Sequence, residues 1–215
     1  MTRIILVRHG ESEANLNRIL AGQLDFPLTE LGVYQAELAA KYILKHEKID
    51  AVYSSDLRRA VNTAKPLADA SGLPVNTDKR LREFNSGVFQ GLTVEERKKR
   101  FPREVEQLMT DMGHMQYPGG EYVPDIYDRV VGCICEISRA NPEKTVLIVS
   151  HNGAMLTFDA FAHGYSREEV GKTSGFLNAS INIYECDGES ARVIAKNITE
   201  HLSDTDNDTP DTDKQ

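Results

Sequence analysis

Cysteine is scarce in this sequence. Its 215 residues include three cysteines, Cys133, Cys135 and Cys186. An odd number without regular spacing argues against the paired framework of a disulfide-rich secreted domain. Cys133 and Cys135 lie two positions apart in a helical pattern, so their side chains diverge and make a poor metal-binding pair. We therefore expect reduced, buried thiols in a cytoplasmic protein.

Long hydrophobic runs are also lacking. A membrane-spanning helix needs about 20 apolar residues in a row, and no segment of the sequence approaches that length. The first apolar run ends at Arg8. It is too short for the apolar part of a secretory signal peptide and has no small-residue cleavage site after it. The sequence thus predicts a protein without a membrane partner.

Basic residues are outnumbered by acidic ones. The chain has 25 Lys and Arg against 33 Asp and Glu, a formal net charge of −8. Such a chain lacks the broad basic face that attracts nucleic acid, so we expect no nucleic-acid partner. Residues 203–215 hold five Asp and one Lys, which is half of the net charge. We expect this tail to be disordered, and residues 1–202 to form one globular domain.

The sequence does contain an alternation of strand and helix patterns. Continuous apolar, β-branched runs predict buried strands at residues 4–7, 51–54 and 145–150. Helical patterns follow at about residues 30–45, 56–70 and 153–162, and residues 93–141 are also mostly helical in pattern. Thr29 is the expected N-cap of the first helix, and Gly72 suits the end of the second.

This alternation predicts the fold class. Strands joined through helices imply crossover connections and a mostly parallel sheet covered on both faces. The last part differs, because residues 179–186 and 191–196 flank Asp187-Gly188, a hairpin signal. We expect an α/β fold: a three-layer α/β/α sandwich with antiparallel strands added by the C-terminal part.

Histidine and arginine follow the predicted strands at the end where α/β proteins bind ligands. Arg8 and His9 follow the first strand, Arg58 and Arg59 the second, and His151 the last. Neutral imidazole is a nucleophile near neutral pH, and arginine donates in a planar, bidentate manner to phosphate oxygens. The pattern favours phosphoryl transfer. That reaction also needs a general acid, which composition alone does not identify.

Six segments carry a resemblance to a known family. They read LVRHGESEAN (6–15), GQLDFPLTELG (22–32), SSDLRRAVNTA (54–64), LREFNSGVFQGLT (81–93), PGGEYVPDIYDRV (118–130) and VSH (149–151). Together, and in this order, they resemble the histidine phosphatase (phosphoglycerate mutase-like) superfamily, in particular its small phosphatases. An isolated Arg-His-Gly would be weak evidence, whereas six ordered motifs are specific.

The resemblance implies roles for the matching residues. The implied catalytic residues are His9, Glu83, Arg8, Arg59 and His151. His9 would be the phosphorylated nucleophile, and the two arginines with His151 would bind the phosphate. Glu83 would give a proton to the leaving group and later take one from the attacking water. No metal and no cofactor are implied, since the arginines and His151 supply the positive charge.

Further residues are expected at the entrance of this site. Besides Arg8, Arg59, Glu83 and His151, the expected substrate-binding residues are Asn15, Gln23 and Asn152. Asn152 stands where glycine is common in the family, so its side chain is expected to touch the ligand. Arg59 is preferred to Arg58 because it directly precedes the alanine of the motif.

The residues and the resemblance together predict a metal-independent phosphatase, a phosphoric monoester hydrolase acting on a small molecule through a phosphohistidine. A phosphoglycerate mutase is one alternative. Mutases of the family have a longer insertion between the acid and the second histidine and a His-Tyr pair after the acid. Here Glu83 and His151 are 68 positions apart and Phe84-Asn85 follows the acid, which favours a phosphatase.

A non-catalytic phosphate-binding protein is the second alternative. The occupied catalytic positions argue against it. Neither the natural phosphoester nor the oligomeric state follows from the sequence, although a homodimer is the commonest assembly of soluble enzymes.

Overall fold

The computed structural model describes residues 1–203. Its six-stranded sheet has the order β3-β2-β4-β1-β5-β6. The strands are β1 (Thr2–Arg8), β2 (Ala51–Ser54), β3 (Val75–Thr77), β4 (Thr145–Ser150), β5 (Ile181–Cys186) and β6 (Ala191–Ile198). The first four are parallel to one another, and the last two are antiparallel additions. The predicted mixed sheet is confirmed. Apart from Ser203, the predicted acidic tail lies outside the described residues.

Helices cover both faces of the sheet. They are α1 (Glu13–Leu16), α2 (Glu30–His46), α3 (Arg58–Ser71), α4 (Val94–Arg100), α5 (Pro102–Thr110), α6 (Val123–Ala140) and α7 (Asn152–Ala162). Alternate residues of β1 point to opposite faces: Ile5 and Val7 pack with α2 and α3, whereas Ile4 and Leu6 pack with α6 and α7. This is the expected three-layer sandwich.

Local signals explain where two helices begin and end. The Thr29 hydroxyl accepts a hydrogen bond from Gly32 N at 3.0 Å, so it caps α2 as predicted. Gly72 ends α3 in the left-handed conformation, with φ +65°. The predicted start of α3 is two residues too early. Asp56 is bound instead by Arg82, with a nitrogen–oxygen distance of 2.6 Å, and Leu57 is still extended.

The middle of the chain is less regular than its helical pattern suggests. Phe101 interrupts the helical run, and Pro102 then starts α5 at a first-turn position that needs no N–H donor. Strand β3 was not predicted, because three residues at the edge of a sheet carry almost no periodic signal. None of the helices within residues 1–203 is long and apolar enough to cross a membrane.

Candidate active site

The topology brings the predicted strand ends together. Strands β2, β4 and β1 are neighbours in the sheet, so the residues that follow them meet at one edge. His9 N donates to Ser150 O at 3.0 Å, and the rings of His9 and His151 lie 5.1 Å apart. Arg8, His9 and His151 are all buried. The site therefore forms at the predicted edge of the sheet.

The His9 ring is oriented by contacts at both of its nitrogens. Its Nδ1 lies 2.7 Å from Gly10 O, a pure acceptor, so Nδ1 carries the hydrogen. The Arg59 Nε–H group donates to Nε2 at 3.3 Å, which marks Nε2 as the lone-pair atom. Burial, followed by the charges of Arg59 and Arg8, lowers the pKa of His9 well below 6.5. These contacts maintain a neutral imidazole, the nucleophilic form.

His151 is a second neutral imidazole beside the first. Its Nε2 is 2.8 Å from Ser55 Oγ. The ring is fully buried, and within residues 1–203 its Nδ1 has no hydrogen-bonding partner. Burial, then the charge of Arg59, lowers the pKa of His151 well below 6.5. A buried polar nitrogen normally has a partner, so a phosphoryl oxygen bound here would satisfy it.

Arg59 and Arg58 have different surroundings despite being adjacent. Arg59 is 1% exposed and donates to Leu24 O at 2.7 Å and to Gly22 O at 2.8 Å. Arg58 is exposed and donates to Asp25 O at 2.8 Å. The structure thus places Arg59, the arginine preferred from the sequence, against His9.

Arg8 and Asn152 meet through a loop that the sequence motifs do not reveal. Arg8 Nη1 donates to Phe176 O, and Phe176 N donates to Asn152 Oδ1 at 2.8 Å. Asn178 Nδ2 in turn donates to His9 O at 3.0 Å. In this structure the Asn152 oxygen orients the loop that holds Arg8. Residues 176–178 are far from β1 in the sequence and carry no local motif. For this reason they were not predicted from the sequence.

Phe176 packs against an ion pair whose carboxylate is buried. Lys196 Nζ lies 4.5 Å from the centre of the Phe176 ring and 2.6 Å from Asp159 Oδ2. Asp159 is fully buried and also accepts from Tyr184 OH at 2.9 Å. Burial and the neighbouring Asp159 carboxylate raise the pKa of Tyr184 well above its usual value, so its hydroxyl keeps its proton. This network supports the loop behind Arg8.

Glu83 lies at the N-terminus of α7. Its Oε1 accepts from Phe84 N at 2.9 Å and Ala154 N at 3.1 Å, and its Oε2 accepts from Gly153 N at 3.1 Å. A β-carbon at Gly153 would come within 2.6 Å of Oε1, so glycine is required for this approach. Amide donors and the helix dipole favour the ionised carboxylate.

The main chain of the Glu83 segment is held by Arg129. Its guanidinium donates to Glu83 O at 3.0 Å and to Arg82 O at 2.8 Å, and it pairs with Glu121 at 2.7 Å. Gln23 Nε2 also donates to Glu83 O, at 3.1 Å. The sequence motif containing Glu121 and Arg129 carries no predicted role of its own. The structure shows that it fixes the segment that carries the carboxylate.

The two remaining entrance residues make contacts within the protein. Asn15 Oδ1 accepts from Ser12 N at 3.0 Å, within the capping box of α1, and from Asn178 Nδ2 at 3.3 Å. Gln23 is half-buried beside the Glu83 segment. These contacts connect the loops that follow β1 with the Glu83 segment and with the loop of Asn178.

The neutral histidines lead to a prediction for NMR. The ring signals of His9 and His151 should not titrate as the pH falls from 7.5 to 5.5, because protonation would place a charge in a buried site beside Arg59. His114 is the internal control: its hydrogen bond to Asp111 raises its pKa above 6.5, so its signal should change within or above that window. The measurement is the chemical shift of each histidine ring signal as a function of pH. The variants His9→Gln and His151→Gln assign the two signals, because each variant lacks one of them. A titration midpoint of His9 or His151 within this pH range would contradict the prediction.

Comparison with known proteins gives consistent results. The model of the histidine phosphatase superfamily (branch 1) matches residues 4–199. Phosphoglycerate mutase-like protein 4 of Arabidopsis thaliana is 33% identical over 94% of this chain and 87% of its own length. Phosphoserine phosphatase 1 of Hydrogenobacter thermophilus is 32% identical, over 95% and 96%. A mycobacterial glucosyl-3-phosphoglycerate phosphatase has a similar structure, with TM-score 0.83, 32% identity and coverage of 91% and 98%.

Proposed function

The chain belongs to the histidine phosphatase superfamily, branch 1, and is a phosphomonoester hydrolase of that type; we propose that it works without a metal, through a phosphohistidine on His9. The observation that carries this proposal is the His9 ring, whose Nε2 lone pair faces Arg59 while burial keeps the ring neutral. The nucleophilic nitrogen of His9 and the Arg59 guanidinium, the cation that would bind phosphate, are thus already adjacent.

The first step transfers the phosphoryl group to the protein. His9 Nε2 attacks phosphorus, the P–N bond forms, and the bond to the leaving oxygen breaks. Arg8, Arg59 and His151 bind the three non-bridging oxygens and stabilise their charge. Glu83, protonated when the phosphate dianion lies close, gives its proton to the leaving oxygen. The alcohol departs, and Glu83 is left as a carboxylate.

The second step releases phosphate. Glu83 now accepts a proton from a water molecule, which attacks phosphorus on the side that the alcohol has left. The P–N bond breaks, and the electron pair returns to His9 Nε2 as the neutral imidazole. Inorganic phosphate leaves, with Glu83 protonated again. The same carboxyl group thus serves as acid and then as base.

The test is phosphate release from p-nitrophenyl phosphate, with no added metal and with EDTA present. We expect turnover, and acid-labile phosphate bound to the protein after rapid denaturation, as a phosphohistidine requires. Absence of turnover in EDTA would contradict the metal-independent mechanism. Interconversion of 3-phosphoglycerate and its 2-isomer with a bisphosphoglycerate primer, faster than hydrolysis, would identify the mutase alternative instead.

Several further properties belong to the same proposal. The substrate is a small-molecule phosphoester bound at the entrance formed by Asn15, Gln23 and Asn152. Residues 1–202 act as one domain. A cytoplasmic location is supported by the three free, buried cysteines, and a homodimer is the assembly to test first, by light scattering.

Replacing Glu83 by glutamine tests the general acid. For an alkyl phosphate we expect kcat to fall by about 10²–10⁴-fold, because the alkoxide must leave without a proton. For p-nitrophenyl phosphate the rate of the first turnover, which precedes the attack of water, should fall much less, since p-nitrophenolate needs no proton to leave. Glu95→Gln, at an exposed position of α4, is the control and should leave both rates unchanged. Equal losses in the first-turnover rate of alcohol and p-nitrophenolate release would remove Glu83 from the acid role.

A further inference from the structure

A cavity of about 550 Å³ opens beside Glu83. Glu83, Asn152 and Gly153 line it, together with residues 108–113 and 168–173. Its volume falls in the range of small-molecule sites, roughly 300–1,000 Å³. Under the proposed function Glu83 protonates the leaving oxygen. The alcohol part of the substrate therefore lies on the Glu83 side of the phosphate, in this cavity.

The wall of this cavity is mainly apolar. Its apolar side chains include Leu20, Phe84, Leu108, Met112, Leu156 and Val170. Phe84, Leu156 and Val170 are buried, at 4%, 6% and 0% exposure. Binding a hydrocarbon group against a surface of this kind lowers the free energy, whereas binding a hydrated charge against it does not.

The charged residues of the wall are mostly at its exposed rim, where they are paired. Lys172 binds Glu169, and Asp111 lies 2.8 Å from His114. Ion pairs that are this exposed attract a charged group of the substrate only weakly. Besides Glu83, Arg97 is the charged wall residue that lies away from the rim, with 3% exposure. It is the residue that would recognise a carboxylate if the substrate carried one.

We propose that this site prefers phosphate monoesters whose alcohol part is an uncharged apolar chain or ring; the proposal rests on the phosphatase function proposed above. Apolar side chains supply most of the cavity wall, whereas its buried polar side chains are Ser86, Arg97 and Asn152. Each methylene buried in such a wall raises kcat/KM by about twofold to fourfold, the upper value corresponding to about 0.8 kcal/mol. A carboxylate in the same position would have to lose its hydration against hydrocarbon.

A homologous series of n-alkyl phosphates measures this preference directly. From propyl to hexyl phosphate the leaving alcohols have nearly the same acidity, so differences in kcat/KM report binding in the cavity. We expect a rise of about 8-fold to 60-fold over these three methylenes. Hexyl phosphate should also exceed its ω-carboxylated analogue, 5-carboxypentyl phosphate, by at least about tenfold.

Two variants link the preference to the cavity. Leu156→Asn, on α7, should flatten the dependence of kcat/KM on chain length. Leu108→Asn, at a half-buried position of α5, should have the same effect and replaces the first variant if that one folds poorly. Leu44→Asn is the matched control, because Leu44 is 37% exposed on α2, in the opposite helical layer. This variant should keep the wild-type dependence of kcat/KM on chain length.

Three results would overturn the inference. If kcat/KM is flat from propyl to hexyl phosphate while p-nitrophenyl phosphate is hydrolysed, the substrate class is wrong and the phosphatase function stands. A better rate with the carboxylated analogue would also overturn it and assign Arg97 to acid recognition. If no ester is hydrolysed, p-nitrophenyl phosphate included, the proposed function fails and the inference fails with it.

Discussion

Replacing His9 by alanine should reduce phosphate release from p-nitrophenyl phosphate by about 10⁴-fold or more, the scale of loss seen when a nucleophile is removed. The residual binding groups cannot form the P–N bond, so the two-step route is closed. His9 is buried, but its ring mainly contacts Arg59, Gly10 and His151. The fold should therefore survive, which the thermal midpoint of unfolding measures alongside kcat.

His46→Ala is the control for this experiment. His46 ends α2 and is exposed, so its loss should leave kcat within about twofold of wild type. The His9→Ala variant should also show no acid-labile protein-bound phosphate. Retention of more than a few per cent of wild-type activity in a folded His9→Ala protein would exclude the phosphohistidine route.

Replacing Arg59 by lysine should lower kcat/KM by about 10³-fold, even though the charge is kept, which is the lower end of the contribution of a catalytic arginine to phosphoryl transfer. Arg59 uses Nε toward His9 and its two terminal nitrogens toward Gly22 O and Leu24 O. A single ammonium group cannot reproduce this planar set of donors. The measurement is kcat/KM with p-nitrophenyl phosphate.

The neighbouring arginine provides a matched control. Arg58→Lys makes the same chemical change one position away, at a side chain that is 54% exposed and pairs with Asp25 at 3.6 Å. An exposed pair of this kind contributes about 0–1 kcal/mol, so kcat/KM should change by less than about threefold. Similar losses in the two variants would mean that Arg59 acts through general charge and not through its position.

The fold was largely predictable because its strands are buried on both faces. Strands β1, β2 and β4 are short, continuous apolar runs, and such runs have one stable placement, inside a covered sheet. The ends of these strands identify Arg8, His9 and His151 as neighbours from the sequence alone. Glu83 could not be found in this way. Its segment has no strand or periodic pattern, and only the resemblance to a family singled it out.

The middle of the chain was less predictable for a physical reason. Residues 93–141 are highly charged, and a helical pattern in them does not specify where the chain turns. The break between α5 and α6 lies beside the cavity, where residues from distant segments meet. The helix propensities of individual residues cannot specify contacts between segments that are far apart in the chain.

The sequence by itself determined the layers, the parallel core of the sheet and the set of residues at its edge, because these follow from the period of burial and from short-range chemistry. Tertiary structure alone decided three things: that the Phe176 loop holds Arg8 through Asn152, that amides of α7 bind Glu83, and that an apolar cavity adjoins that carboxylate. Each depends on groups more than twenty residues apart in the chain, whose approach is fixed by the packing of the whole core.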